Sequence, residues 1–196
     1  MLPTVNSNYA LSELTRFLFG LIRSYDINTA RHSDKVEKIA VKIAMELNLT
    51  EQVIQEISIA ALLHDIGKIK ISRDILDKPG SLSEAEFKII QKHPEHGFNI
   101  LYATGQLKNI AHAVLYHHEK FNGTGYPAAK KGKGLPLISR ILSIADVYEA
   151  ITSNRVYRKA MTREAAHRVI YDGRDTHFDP EVVEAFFNAV RKGVII

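Results

Sequence analysis

The stretch TEQVIQEISIAALLHDIGK, residues 50–68, decides the fold. Thr50 can cap a helix through its side-chain oxygen. Val53, Ile54, Ile57, Ala60, Ala61 and Leu63 then recur at the three- and four-residue spacing of a helix face. The run leads directly into His64-Asp65-Ile66-Gly67-Lys68, where Gly67 reads as the helix stop. A helix this apolar belongs inside a bundle, so it delivers a histidine and an aspartate to the interior.

Working outward, the same periodicity dominates. Leu11, Leu14, Leu18, Leu21 and Ile22 give an amphipathic helix ending near Tyr25. A second runs from about Thr29 to Leu47, with Val36, Ile39, Ala40 and Ile43 on one face. Ser83 and Glu86 form a capping box that opens a helix through about Gln91. Further helices fit His96–Tyr102, Leu107–Glu119, Ile138–Thr152 and Thr162–Tyr171, and Asp179-Pro180 opens a last one through about Arg191. The pattern predicts an all-α bundle. Its long irregular stretch, Lys120 to Leu137, is punctuated by Gly123, Gly125, Pro127, Gly132, Gly134 and Pro136, and a loop of that length in a compact domain is usually functional or disordered.

Composition narrows the chemistry. The 196 residues contain no cysteine, which excludes disulfides, thiolate zinc sites, iron–sulfur clusters and cysteine nucleophiles. Any metal must be held by histidines and carboxylates. There is no secretory leader pattern and no run near the ~20 apolar residues of a spanning helix, so a soluble, cytoplasmic protein with no membrane insertion is expected. The formal charge is +4, yet Lys120 to Arg174 alone carries eleven Lys/Arg against four Asp/Glu, a local excess suited to a small anionic ligand.

Nine histidines are many for this length. His32, the His64-Asp65 pair, His93, the His117-His118 pair and Asp146 sit on separate helices and can converge only inside the bundle, where helical proteins build metal sites. Five imidazoles and two carboxylates are too many for one tetrahedral zinc. Two octahedral ions offer about twelve positions. The seven side chains, with Asp65 and a hydroxide each bridging, fill all but about two, which are left for substrate oxygens. Two divalent ions, two carboxylates and one hydroxide leave one net positive charge to face a phosphate ester. Ligands of this kind favour Fe or Mn, with Ni, Co or Zn admitted.

His64-Asp65-Ile66-Gly67-Lys68, followed by His117-His118-Glu119 and the loop Gly123-Thr124-Gly125-Tyr126-Pro127, resembles the HD-GYP family, a branch of the HD metal-dependent phosphohydrolases. The likeness spans roughly Thr29 to the C-terminus. It implies an HD-domain helical bundle with a long GYP loop and C-terminal helices, residues 28–196, preceded by a helix over residues 1–27 that packs on it or links it to a partner. It implies His32, His64, Asp65, His93, His117, His118 and Asp146 as metal ligands, with Asp65 bridging and catalytic.

The activity implied is hydrolysis of cyclic di-GMP to linear pGpG, and in some members onward to GMP, by a hydroxide bridging two divalent ions. Lys68 matches a phosphate-contacting lysine, and Arg155 and Arg158 match cationic positions near the substrate. Tyr126 either presents a ring to guanine or anchors the loop. Glu149, one turn after Asp146, replaces a usual Asp and is expected to face the ligand. Asn28 stands where three-metal members place a Glu ligand, so two ions are expected, and Asn122 replaces a usual loop Asp. The alternatives are an HD phosphohydrolase acting on cyclic GMP-AMP or a linear nucleotide, and a catalytically weak module that binds cyclic di-GMP or a diguanylate cyclase or sensor partner. Long nucleic acid is not an expected ligand.

Overall fold

The computed structural model describes residues 7–154 and 159–195, and among them every regular element is helical. Helix α1 spans Ser7–Tyr25, α2 Ile27–Glu46 and α3 Glu51–Leu63. After a 3-10 turn at Ile66–Lys70 come α4, Arg73–Leu76, α5, Glu84–Ile90, α6, His93–Ala103, and α7, Lys108–Leu115. Helices α8, Leu137–Thr152, α9, Arg163–Asp172, and α10, Pro180–Arg191, complete the order.

Helix α2 organises the bundle. Asp26 caps it by accepting from the Asn28 amide at 2.9 Å, and its buried positions Thr29, Ser33, Val36, Ala40 and Ile43 recur every three or four residues. That stripe packs against α3, α8, α10 and α1. Leu18 and Ile22 of α1 lie in the same core. Helix α8 is buried almost all round, from Ser139 to Ile151. A functional side chain placed on α2 or α8 in register with these stripes must therefore point inward.

Three expectations need correction. Gly67 is not the stop of α3, which ends at Leu63; it lies inside the 3-10 turn. It is glycine because a Cβ there would collide with the His93 carbonyl oxygen and come within 2.5 Å of the Gly97 nitrogen. The backbones of the turn and of α6 touch at this point. Helix α7 stops at Leu115 rather than near Glu119, because the His117 ring turns back to the Val114 carbonyl at 2.5 Å, a carbonyl that a longer helix would occupy. Helix α6 begins earlier than expected, at His93, with Pro94 in its first turn where a missing amide costs nothing.

The loop from Lys120 folds back on itself. The Phe121 and Asn122 amides donate to the His177 and Thr176 carbonyls, each at 2.9 Å. Gly125 lies against the backbone of His118 to Lys120 so closely that a Cβ would stand 2.5 Å from the His118 carbonyl oxygen. Asn122 accepts from the Thr124 amide and hydroxyl at 3.0 and 2.8 Å, an acceptor role that the usual carboxylate would also fill. Lys133 ties this loop to α10 by pairing with Asp179, its N-cap, at 3.2 Å.

Candidate metal centre

The bundle brings all seven expected ligand side chains to one place. His32 sits on α2 beside its buried stripe, His64 and Asp65 just past the end of α3, and His93 at the first position of α6. His117 and His118 follow the end of α7, and Asp146 projects from α8. Two three-residue sets have ligand atoms within 4.8 Å of one another, His93, His117 and His118, and His32, His64 and Asp146, and a third such group, His64, Asp65 and His117, links them.

Asp65 stands between the two sets. Its Oδ1 faces His93 Nε2 at 3.3 Å, while its Oδ2 faces His64 Nε2 at 3.4 Å and His32 Nε2 at 4.0 Å. One carboxylate oxygen is thus turned to each set, the disposition of a bridging ligand. His32 Nε2 also lies 2.9 Å from Asp146 Oδ1.

The outward ring nitrogens show the same logic. Nδ1 of His64 reaches the Ala61 carbonyl at 2.7 Å, that of His93 the Ile90 carbonyl at 2.7 Å, and that of His117 the Val114 carbonyl at 2.5 Å. Each carbonyl is three residues back, an orphan acceptor at a helix end. A carbonyl can only accept, so each Nδ1 must donate, and the bare Nε2 lone pair points inward, as metal-binding imidazoles require. His64 Nε2 is buried without a hydrogen-bond partner among the described residues. A buried polar atom left alone is costly, and a cation in contact with it resolves the cost.

Electrostatics agree for three of the five rings, whereas His32 is raised to about 9 because its hydrogen bonds to Asp146 and Glu149 outweigh its burial. Burial pushes His93 down to about 3 and His117 well below the usual imidazole range, and it lowers His118, so these rings are neutral, the form that ligates metal. Burial would raise Asp65, but Lys68 at 2.6 Å and the surrounding histidines hold it well below the ordinary carboxylate range. Asp146 is likewise held low, burial being outweighed by its hydrogen bond to His32.

A cavity of about 730 Å³ opens over this centre. Asp65, Lys68, His118, Tyr126 and Asp146 reach it, as do Lys120 and His177. Tyr126 packs its ring 5.0 Å from the His118 ring and also lines the cavity. Glu149 is placed otherwise than expected. It is buried beneath His32, with Oε2 2.5 Å from His32 Nδ1 and Oε1 2.5 Å from the Ser153 hydroxyl, and it is not among the residues lining the cavity. Its longer side chain braces the His32 ring. Arg155 and Arg158 lie outside the described residues. Asn28 is exposed in the first turn of α2.

His177 lines the cavity although it belongs to no expected ligand position. It stacks on Phe178 at 4.4 Å, and its signal was adjacency to Phe178-Asp179-Pro180, where the loop backbone docks. Burial, with help from Lys120, lowers His177 to about 4. Unfolded, it titrates near 6.5. The neutral ring's contribution is therefore complete above about pH 6.5 and is lost as pH falls through about 4. His177→Gln should flatten the fall in melting temperature over that window, measured by circular dichroism at half-unit pH steps.

The comparisons with known proteins follow this geometry. A family model described as "HD domain" matches residues 16–182. A cyclic di-GMP phosphodiesterase of Pseudomonas aeruginosa is 37% identical over 86% of this chain and 41% of its own length. A 3'3'-cGAMP-specific phosphodiesterase of Vibrio cholerae is 39% identical over 83% of this chain and 35% of its own. The chain thus spans well under two thirds of these curated relatives. Among solved structures, an HDG"Y"P protein from Bdellovibrio bacteriovorus superposes with a TM-score of 0.69 at 18% identity, covering 94% of this chain and 63% of that one, a likeness of fold. No helix among the described residues is long and apolar enough to cross a membrane. With the family match, the HD pair between two histidine sets and the GYP loop folded over His118, the chain belongs to the HD-domain family.

Proposed function

We propose that this chain is a metal-dependent cyclic dinucleotide phosphodiesterase that hydrolyses cyclic di-GMP to linear pGpG. The observation that carries the reading is the Asp65 carboxylate, one oxygen turned to each of two inward-facing ligand sets, at the floor of a cavity that also receives Lys68 and Lys120. The donor set is imidazole and carboxylate without sulfur, which suits two ions of the Fe or Mn type. When bound, such ions activate water and stabilise charge on a phosphodiester.

The chain's own residues do the rest. Lys68, part exposed beside Asp65, and Lys120 hold the anionic ester and balance charge on its non-bridging oxygens. Burial raises the Tyr126 phenol, so it stays protonated and can donate a hydrogen bond at neutral pH. Glu149 fixes the ring of His32. Residues 28–196 form the hydrolytic unit, with α1, Ser7–Tyr25, packed on it. The same reading makes the chain a cytoplasmic output module for a sensor or a diguanylate cyclase partner. The names of its relatives support cyclic dinucleotides as the substrate class, with cyclic GMP-AMP as the second candidate.

The test pairs elemental analysis of anaerobically purified protein with chromatography of cyclic di-GMP and cyclic GMP-AMP under Mn²⁺ or Fe²⁺. About two ions per chain and appearance of pGpG are expected. No metal under any loading condition, or metal without turnover of either dinucleotide, overturns the proposal. Lys68→Ala should retain the metal while turnover falls about a hundredfold, because it removes charge stabilisation and leaves every ligand in place.

A further inference from the structure

Helix α5, like the single turn α4, lies outside the buried core. It has no buried residue, and its order rests on polar contacts. The Ser83 hydroxyl accepts from the Glu86 amide, Glu86 accepts from the Ser83 amide at 2.7 Å, and Lys78 reaches both Glu86 oxygens at 2.8 and 2.7 Å. Phe87 nevertheless stands on it 48% exposed, outside the hydrophobic core, and it lines the cavity over the metal centre. So does Gln91, one turn further on, whose backbone amide donates to the Phe87 carbonyl at 2.9 Å. The spacing of four sets ring and amide on one side of the helix. The Gln91 side-chain amide has no hydrogen-bond partner among the described residues.

We propose that Phe87 and Gln91 form the subsite for one purine base of the substrate, Phe87 stacking on the base face and Gln91 pairing with its edge. The inference rests on the phosphodiesterase reading and adds to it the wall that receives the base. A phosphodiester held over Asp65 and Lys68 sends its two bases away from the charged floor, and an exposed aromatic ring in a cavity wall is the group a base covers most favourably. The edge reader fixes selectivity. A carboxamide offers one acceptor and a donor group, so by rotating it pairs with N1–H and O6 of guanine or with N1 and N6 of adenine. This subsite therefore accepts both purines. A carboxylate in its place only accepts, which suits the N1–H and N2–H₂ donors of guanine and opposes the N1 acceptor of adenine.

The experiment compares cyclic di-GMP, cyclic di-AMP and bis(p-nitrophenyl) phosphate, a diester without bases, as substrates of the Mn²⁺-loaded protein. Calorimetric Kd values for both dinucleotides on the metal-free protein give a second readout. Phe87→Ala should raise KM and Kd for both dinucleotides about tenfold or more. It should lower by the same factor the ratio of dinucleotide to nitrophenyl ester kcat/KM. Gln91→Glu should shift the ratio of cyclic di-GMP to cyclic di-AMP efficiency towards guanine by about tenfold. Unchanged ratios in both variants overturn the subsite alone. A wild-type protein that cleaves the nitrophenyl ester but neither binds nor cleaves any cyclic dinucleotide overturns the substrate reading, and the subsite with it.

Discussion

Replacing Asp65 by alanine should strip the protein of both ions and lower kcat/KM by at least about a thousandfold. The magnitude follows from position. The Asp65 oxygens lie 3.3 Å from His93 on one side and 3.4 Å from His64 on the other, so one substitution removes a ligand from each set and the negative charge that holds two cations near each other. A ligand variant confined to one set, such as His118→Ala, should leave about one ion per chain. Elemental analysis of the two variants side by side checks the difference, with far-UV circular dichroism to confirm that the helices remain. Lys68 loses its partner in the Asp65 variant, but it reaches solvent and can hydrate, so the fold should survive. Two ions per chain in Asp65→Ala would refute the bridging assignment.

Gly67→Ala should cost more stability than any single exposed substitution in this chain, about 3 kcal/mol or more, which for a domain of this size lowers Tm by about 6–12 °C. The added methyl group meets backbone, not a side chain that can rotate: the His93 carbonyl and the Gly97 amide. Gly97 is itself constrained, since a Cβ there would stand 3.0 Å from Val114. Relief requires α6 to move away from the turn that carries Asp65. That movement pulls His93 from its 3.3 Å approach, so metal affinity should fall together with Tm. Thermal melts of the metal-free and Mn²⁺-loaded variant measure both effects. A variant with unaltered Tm and metal content would contradict the close backbone crossing.

How much was legible in the sequence depended on whether the cause was local. The helices announced themselves through apolar spacing and caps, and Thr50, Ser83 and Asp179 cap where their side chains predict. The convergence of the site's histidines and aspartates was legible because such residues are rare inside apolar periodicity. Gly67 was misread because a glycine needed for close approach looks, in one dimension, like a glycine that ends a helix. Glu149 could not be placed because a carboxylate one turn from a ligand can face a substrate or brace a histidine, and only the packing of α8 on α2 decides between them. Phe87 and Gln91 carried no signal, because an exposed phenylalanine acquires meaning only when a cavity is found in front of it.

The three carbonyls that tie His64, His93 and His117 each come from the turn immediately before the ring they hold. Ring orientation is therefore encoded within four consecutive residues and is established when the local turns form. The rotamer entropy of these ligands is lost in folding and not in coordination. Ion uptake should then resemble the filling of a rigid receptor, with little change in heat capacity and little ordering of the chain, so that its free energy appears as affinity and is not diverted into folding the site.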